Sequence, residues 1–184
     1  MPQLITPANF KIIYSHGRVG APGSRKAAVI TATARSLGYE ILEVDYVGVD
    51  LPADRVRLCE SICAKTNSNL VFAGSSMGAY VSVELADRFP TVGLFLIAPA
   101  FYLEGYPNQT PRTRCPNIQI MHGWRDSVVA PENAFRFAEA HKARIEFVDD
   151  DHHMLNHVEY IADQFAQFLK QLSLDIPTTP APIE

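Results

Sequence analysis

Short runs of β-branched and apolar residues alternate with longer segments in which apolar positions recur at helical spacing, and the alternation persists over most of the chain. The runs at 11–15 (KIIYS), 40–45 (EILEVD), 69–74 (NLVFAG), 93–98 (GLFLIA), 117–122 (NIQIMH) and 144–148 (RIEFV) predict strands. Most are too continuously apolar for a sheet with one wet face, so they predict buried parallel strands. Helices are predicted at 24–37, 53–66, 77–88, 131–142 and 156–172. The first runs into Gly38, a natural C-terminal stop, and the fourth opens on Pro131, whose fixed φ and missing N–H suit a first turn. Strand and helix alternating in this way give an α/β domain: a mostly parallel sheet of about six strands with helices on both faces and right-handed crossovers. A single domain is expected over 1–172, followed by a flexible tail at 173–184, SLDIPTTPAPIE. Ligands in such sheets gather beyond the carboxyl ends of the strands, so the loops to search follow residues 15, 45, 74, 98, 122 and 148.

Composition narrows the partners. With 184 residues and 47% hydrophobic content, the chain can bury one sizeable core. A net charge of −4 without any block of Lys or Arg leaves no electrostatic footprint for nucleic acid or an anionic membrane. No apolar run approaches the roughly 20 residues of a bilayer span. The N-terminal MPQLITPANFK lacks the basic start and apolar stretch of a signal peptide. A cytoplasmic protein acting on a small molecule is expected. Cys59 and Cys63, four apart in a helical pattern, and Cys115 in a loop lack metal-type spacing and read as packing residues. No cofactor is indicated.

The loop after residue 74 carries the first chemistry. VFAGSSMGAY reads as strand, tight turn and helix, and Gly74-Ser75-Ser76-Met77-Gly78 is a G-x-S-x-G pattern. A turn this sharp strains its central residue and leaves no room for side chains at the flanking positions. It would lift the Ser76 hydroxyl out of the sheet at a helix N-terminus, where the Met77 backbone N–H can meet a developing oxyanion. The plainer alternative is a glycine-rich turn in which Ser75 or Ser76 caps the helix. No Gly-Lys-Ser/Thr follows, which disfavours a phosphate-binding loop.

A serine hydroxyl is a weak nucleophile unless an imidazole takes its proton and a carboxylate orients the imidazole. HGWRDSVVAPE places Asp126 after the fifth strand, and DDDHHMLNH places three carboxylates and three imidazoles after the sixth. Ser76, Asp126, then His152 or His153 is the chain order of an α/β-hydrolase triad. Together, YSHG, GSSMG, HGWRDSVV and DDDHHML resemble the motifs of a small, lidless α/β-hydrolase of the serine esterase type, over roughly residues 10–172. The resemblance implies Ser76 as nucleophile, Asp126 as orienting acid and a histidine of the 152–153 pair as base. It also implies a second oxyanion donor in the Arg18 backbone N–H, with His16 shaping the turn. The family's spacing around the base favours His152, with Met154 as the apolar anchor; His153 with Leu155 is the alternative. Two departures stand out: Val129 is followed by Ala130 before Pro131, and the ten residues before the first strand are too few for the hairpin of larger relatives.

A rival chemistry is a metal-dependent hydrolase using the Asp149–His157 cluster, in which His153 and His157 are spaced to share a helix face. That would leave Ser76 unexplained, so no metal is expected. Asp149 and Asp150 are read as a solvated turn and His157 as a helix-surface residue. The 18 residues between Ala98 and Asn117 are too few for a cap, so the site should be open, with Phe101, Tyr102, Leu103 and Tyr106 as an apolar lip and Trp124 as a further pocket candidate. The expected substrates are small carboxylic esters or thioesters, hydrolysed through an acyl-enzyme. A catalytically silent binding protein on the same fold is the non-enzymatic alternative.

Overall fold

The computed structural model describes residues 10–175. Its elements are β1 (Phe10–Ser15), α1 (Arg25–Ser36), β2 (Ile41–Val44), α2 (Pro52–Cys63), β3 (Asn69–Ser75), α3 (Met77–Ala86), β4 (Thr91–Ile97), β5 (Ile118–Gly123), α4 (Pro131–His141), β6 (Arg144–Val148) and α5 (Val158–Asp175). All neighbouring strands pair in parallel, in the order β2-β1-β3-β4-β5-β6. From β1 inside the sheet the path steps out to β2, returns past β1 to β3 and then advances to β6. Loops after β1 and β3 therefore part in opposite directions, and a crevice opens between them.

The continuous apolar runs have a direct cause. Along β3, Leu70 and Phe72 enter a core shared with α2, α3 and α4, whereas Val71 and Ala73 enter a second core shared with α1 and α5. β4 divides in the same way, with Leu94 and Leu96 on one face and Phe95 and Ile97 on the other. Two buried faces leave no position for a polar alternation. α3 lies between the sheet and α2, and nearly all its residues are buried, including Tyr80, Val81 and Val83.

Boundary differences have local reasons. β4 starts at Thr91, two residues before the predicted run, because Thr91 pairs with Leu70 ahead of a register shift. α5 starts at Val158 rather than 156, since Asn156 and His157 are engaged by Asp150. It continues to Asp175, so residues 173–175 of the expected tail are helical. The Ser173 hydroxyl donates to Leu169 O at 3.0 Å and meets the Tyr39 hydroxyl. The rest of the tail lies outside the described residues. Residues 99–117 form no helix, and no cap covers the sheet there.

The crevice is closed at its base by two backbones in contact. A Cβ on Gly78, in the first turn of α3, would stand 1.9 Å from the Ser15 carbonyl oxygen. Both partners are main chain, so relief requires moving an element rather than a side chain. Gly78→Ala is expected to destabilise the fold by at least about 3 kcal/mol, read as a fall in the urea unfolding midpoint.

Candidate active site

Ser76 stands between β3 and α3 with φ 55° and ψ −118°, outside the ordinary regions for a side-chain-bearing residue. The strain is held by surrounding backbone. Ser76 N donates to Ile97 O at 2.9 Å, and its carbonyl accepts from Ala79 N at 3.0 Å and from Tyr80 and Ala100 N at 3.2 Å. A Cβ on Gly74 would lie 2.5 Å from the Gly78 carbonyl, so the turn can close only with glycine at both positions. The Ser76 hydroxyl makes no cap bond to α3. Instead it meets His152 Nε2 at 2.9 Å, while His152 Nδ1 meets Asp126 Oδ2 at 2.7 Å. With Nδ1 facing a carboxylate, the ring proton belongs there, and Nε2 is left to accept from the serine.

Asp126 is buried and heavily bonded. Its Oδ1 accepts from the amides of Val128 and Val129, each at 2.8 Å, and Oδ2 also lies 3.1 Å from His122 Nε2. Burial alone would raise its pKa, but hydrogen bonds from His122, His152, Val129 and Val128 outweigh it and hold the carboxyl well below the usual carboxylate range. His122, fully buried, faces two acceptors through Nε2, the Asp126 carboxylate and Val129 O at 3.1 Å, and so carries its proton there.

The loop bearing His152 is organised by Asp150, and the expected solvated turn is corrected at this position. Asp150 is 0% exposed, whereas Asp149 is exposed and pairs with Arg125 at 2.8 Å. The Asp150 carboxylate accepts from Asp151 N at 2.9 Å, Asn156 N at 3.0 Å, Asn156 Nδ2 at 2.9 Å and His157 Nδ1 at 3.0 Å. His157 is therefore part of this network, not a helix-surface residue. It precedes α5, as does His153, so the two share no helix face. Among the described residues, no three His, Cys, Asp or Glu side chains come together as a metal-ligand set. Two main-chain bonds tie the loop bearing Asp126 to the strand end and loop leading to His152: Trp124 N to Val148 O at 2.8 Å and Arg125 N to Asp150 O at 3.0 Å. Met154, at φ 57°, is fully buried, while Leu155 and His153 are exposed.

On the other side of Ser76, the loop after β1 is held by Arg55. This residue is 1% exposed, and its guanidinium donates to the carbonyls of Val49 (2.7 Å), His16 (3.1 Å), Gly17 (3.1 Å) and Arg18 (3.3 Å). A trans peptide holds C=O and N–H antiparallel, so fixing the Gly17 carbonyl aims the Arg18 N–H away from Arg55. His16 bonds Gly17 O through Nδ1 at 2.8 Å and receives Tyr46 N on Nε2 at 3.3 Å. Both ring nitrogens are thus occupied, and burial lowers its pKa, consistent with an uncharged shaping role. A Cβ on Gly17 would lie 3.3 Å from the Ser76 Cβ, which measures how closely this loop approaches the serine.

Ser76 opens into a cleft of ≈ 600 Å³ that includes Leu103, Tyr106, Val128 and Leu155. Two expected pocket residues lie elsewhere. Tyr102 lines a separate cavity beside α4, with the Arg136 guanidinium 4.2 Å from its ring centroid. Trp124 is 60% exposed and stacks on Phe147 at 4.2 Å between centroids. Phe101 is buried against Phe137 instead of forming a lip. Arg55, His122, Asp150 and Lys26, which also lines the cleft, were not legible as site residues. For Arg55 a signal existed, because it occupies the inward stripe of α2 together with Pro52, Val56, Cys59 and Cys63.

Six parallel strands without a cap, and a serine on a strained strand-to-helix turn, define a trimmed, lidless α/β-hydrolase fold. The chain belongs to the uncharacterised protein family UPF0227, whose profile matches residues 11–107. Among solved structures, it resembles a protein of Xanthomonas campestris pv. campestris assigned to the hydrolases of the alpha/beta superfamily, with 27% identity over 88% of this chain and 98% of the other (TM-score 0.81). It also resembles XC6422 of Xanthomonas campestris, an α/β serine hydrolase without a lid, with 16% identity over 98% and 88% of the two chains (TM-score 0.75). Est1E of Butyrivibrio proteoclasticus, in a structure with ferulic acid bound, shares 16% identity over 95% and 94% (TM-score 0.76). No curated protein matches the sequence.

Because Asp150 accepts four hydrogen bonds, Asp150→Ala should lower unfolding stability by about 2–4 kcal/mol. Burial opposes ionisation, but the bonds from His157, Asp151 and Asn156 keep the native carboxyl below its usual range. Its contribution is thus complete above the ordinary Asp value of about 4 and drains away as pH falls through the depressed native value. Denaturant midpoints measured across that range should fall more steeply for the wild type than for Asp150→Asn.

Proposed function

We propose that this protein is a serine hydrolase that cleaves small carboxylic esters or thioesters through an acyl-enzyme. The observation that carries the reading is the continuous relay from Ser76 Oγ to His152 at 2.9 Å and from His152 to Asp126 at 2.7 Å. Ser76 Oγ attacks the substrate carbonyl while its proton passes to His152 Nε2. The carbonyl electron pair moves onto oxygen, where the amides of Arg18 and Met77 receive the negative charge. The tetrahedral intermediate collapses, His152 delivers its proton to the leaving alcohol or thiol, and the acyl group remains on Ser76. Water, deprotonated by the same imidazole, then repeats the sequence and frees the acid.

Asp126 keeps the imidazole oriented and offsets the charge it gains. Its own bonds to His122 and to two amides keep it ionised throughout. His152 is the base and His153 a bystander on the rim. Leu103, Tyr106 and Leu155 would accommodate a short carbon chain in the open cleft. A reducing, cytoplasmic setting suits the three free cysteines.

A fluorophosphonate probe tests the assignment by forming a bond to an activated serine. The wild-type protein should label and Ser76→Ala should not. His152→Ala should slow p-nitrophenyl butyrate hydrolysis by about 10³-fold or more, while His153→Ala should stay within about tenfold of wild type. Failure of the wild type to label, or activity abolished by EDTA, would overturn the reading.

A further inference from the structure

We infer that the cleft beside Ser76 selects esters or thioesters bearing an anionic group near the scissile carbonyl, and that Lys26, flanked by Arg18 and Arg25, receives that group. The inference rests on the serine-hydrolase reading and gives its substrate class. Its first support is charge. The protein carries a net charge of −4, yet Arg18, Arg25 and Lys26 all line this cleft and no Asp or Glu does. A lining that combines apolar side chains with cations suits a short carbon chain that ends, or departs, with a negative charge.

Lys26 reaches the turn that carries Ser76. Its Nζ donates to Ser75 Oγ at 2.9 Å, one residue from Ser76, and the side chain is half-buried. Among the described residues it forms no ion pair. Arg25 has only an exposed contact with Glu159 at 3.3 Å. The placement is also unfavourable for the fold alone. Arg25 and Lys26 begin α1, a helix with no acidic residue in its first turn, so two positive charges stand at the positive end of the helix dipole. Burial costs the ammonium further and lowers its pKa to about 8, although Asp150, Asp151 and Asp126 act from a distance to raise it. An anionic substrate would relieve both penalties, which solvent alone relieves only in part.

The test compares matched substrates. Mono-p-nitrophenyl adipate, set against the p-nitrophenyl ester of its isosteric neutral branched acid, puts the charge on the acyl side. m-Carboxyphenyl butyrate against m-nitrophenyl butyrate puts it on the leaving group. In at least one pair, the wild type should favour the anionic member in kcat/KM by about tenfold more than Lys26→Met does, chiefly through KM, and Lys26→Arg should restore the preference. Added salt should weaken it.

The preference should hold below pH 8 and decline above it as Lys26 loses its proton, while the Lys26→Arg profile should stay flat over the same range. His16, Arg18, Arg25, His152 and His153 share the cleft with Tyr14 and Tyr106, and Asp126, Asp150 and Asp151 act on Lys26 from the β5 and β6 loops, so only the difference between the Lys and Arg profiles is read. Binding of monomethyl adipate to Ser76→Ala, followed by calorimetry, separates the two ideas. Salt-sensitive binding lost in Ser76→Ala/Lys26→Met supports the anion site even if hydrolysis fails. Equal kcat/KM for charged and neutral members in both pairs, or a preference unchanged in Lys26→Met, would overturn it.

Discussion

The structure depends on one backbone contact: the first turn of α3 rests on the last residues of β1 without a side chain between them. Gly78 fills the only space that the Ser15 and His16 carbonyls leave, and Gly74 allows the chain to reach it. Any Cβ here would separate the helix from the strand and relax the turn that carries Ser76. The same contact brings the 16–20 loop beside the serine, since that loop leaves β1 at the point where α3 touches it. Ser76 and the first loop are thus positioned together.

A second contact repeats this on the opposite side. A Cβ on Gly123 would fall 2.4 Å from the Asp150 carbonyl oxygen, so the ends of β5 and β6 are also packed backbone on backbone. The two main-chain bonds between the loops add to this, and the relative position of Asp126 and His152 is then set by the sheet. The hydrogen bond between the two side chains completes a geometry already imposed. Rigid strand ends with short loops hold such a constellation more tightly than long loops could.

The fold was legible in the sequence because its signals are local or periodic. All six strands and five helices appear as apolar runs and helical spacing, with differences confined to element ends, as where a strand pairing sets the start of β4 and a side-chain network the start of α5. Gly74-Ser75-Ser76-Met77-Gly78 was legible because a strained turn needs glycine at fixed offsets. Asp126 and His152 were singled out by chain order and by resemblance, and their side chains lie in line with Ser76. Asp150 was not, because its burial depends on Asn156 and His157 folding back over it, and a run of three aspartates reads as solvated. Tyr102 and Trp124 failed as pocket residues for a related reason. Which way a loop aromatic turns is decided by distant partners, Arg136 and Phe147.

Arg55 shows what such distant partnership achieves. A buried guanidinium normally needs a carboxylate, yet among the described residues none lies within ion-pairing distance of it. Four main-chain carbonyls and the Tyr46 ring, whose centroid is 4.8 Å from the guanidinium carbon, satisfy it instead. Burial consequently weighs on the charged form and lowers its pKa. Carbonyl dipoles can satisfy the donors without cancelling the charge, as a carboxylate would. The 16–18 loop therefore keeps a net positive field from behind while its peptide planes are locked in direction. For a loop whose amide is proposed to receive a developing oxyanion, a fixed dipole backed by an uncancelled cation is more useful than a neutral ion pair would be. The burial penalty on Arg55 is the counterpart of that preorganisation.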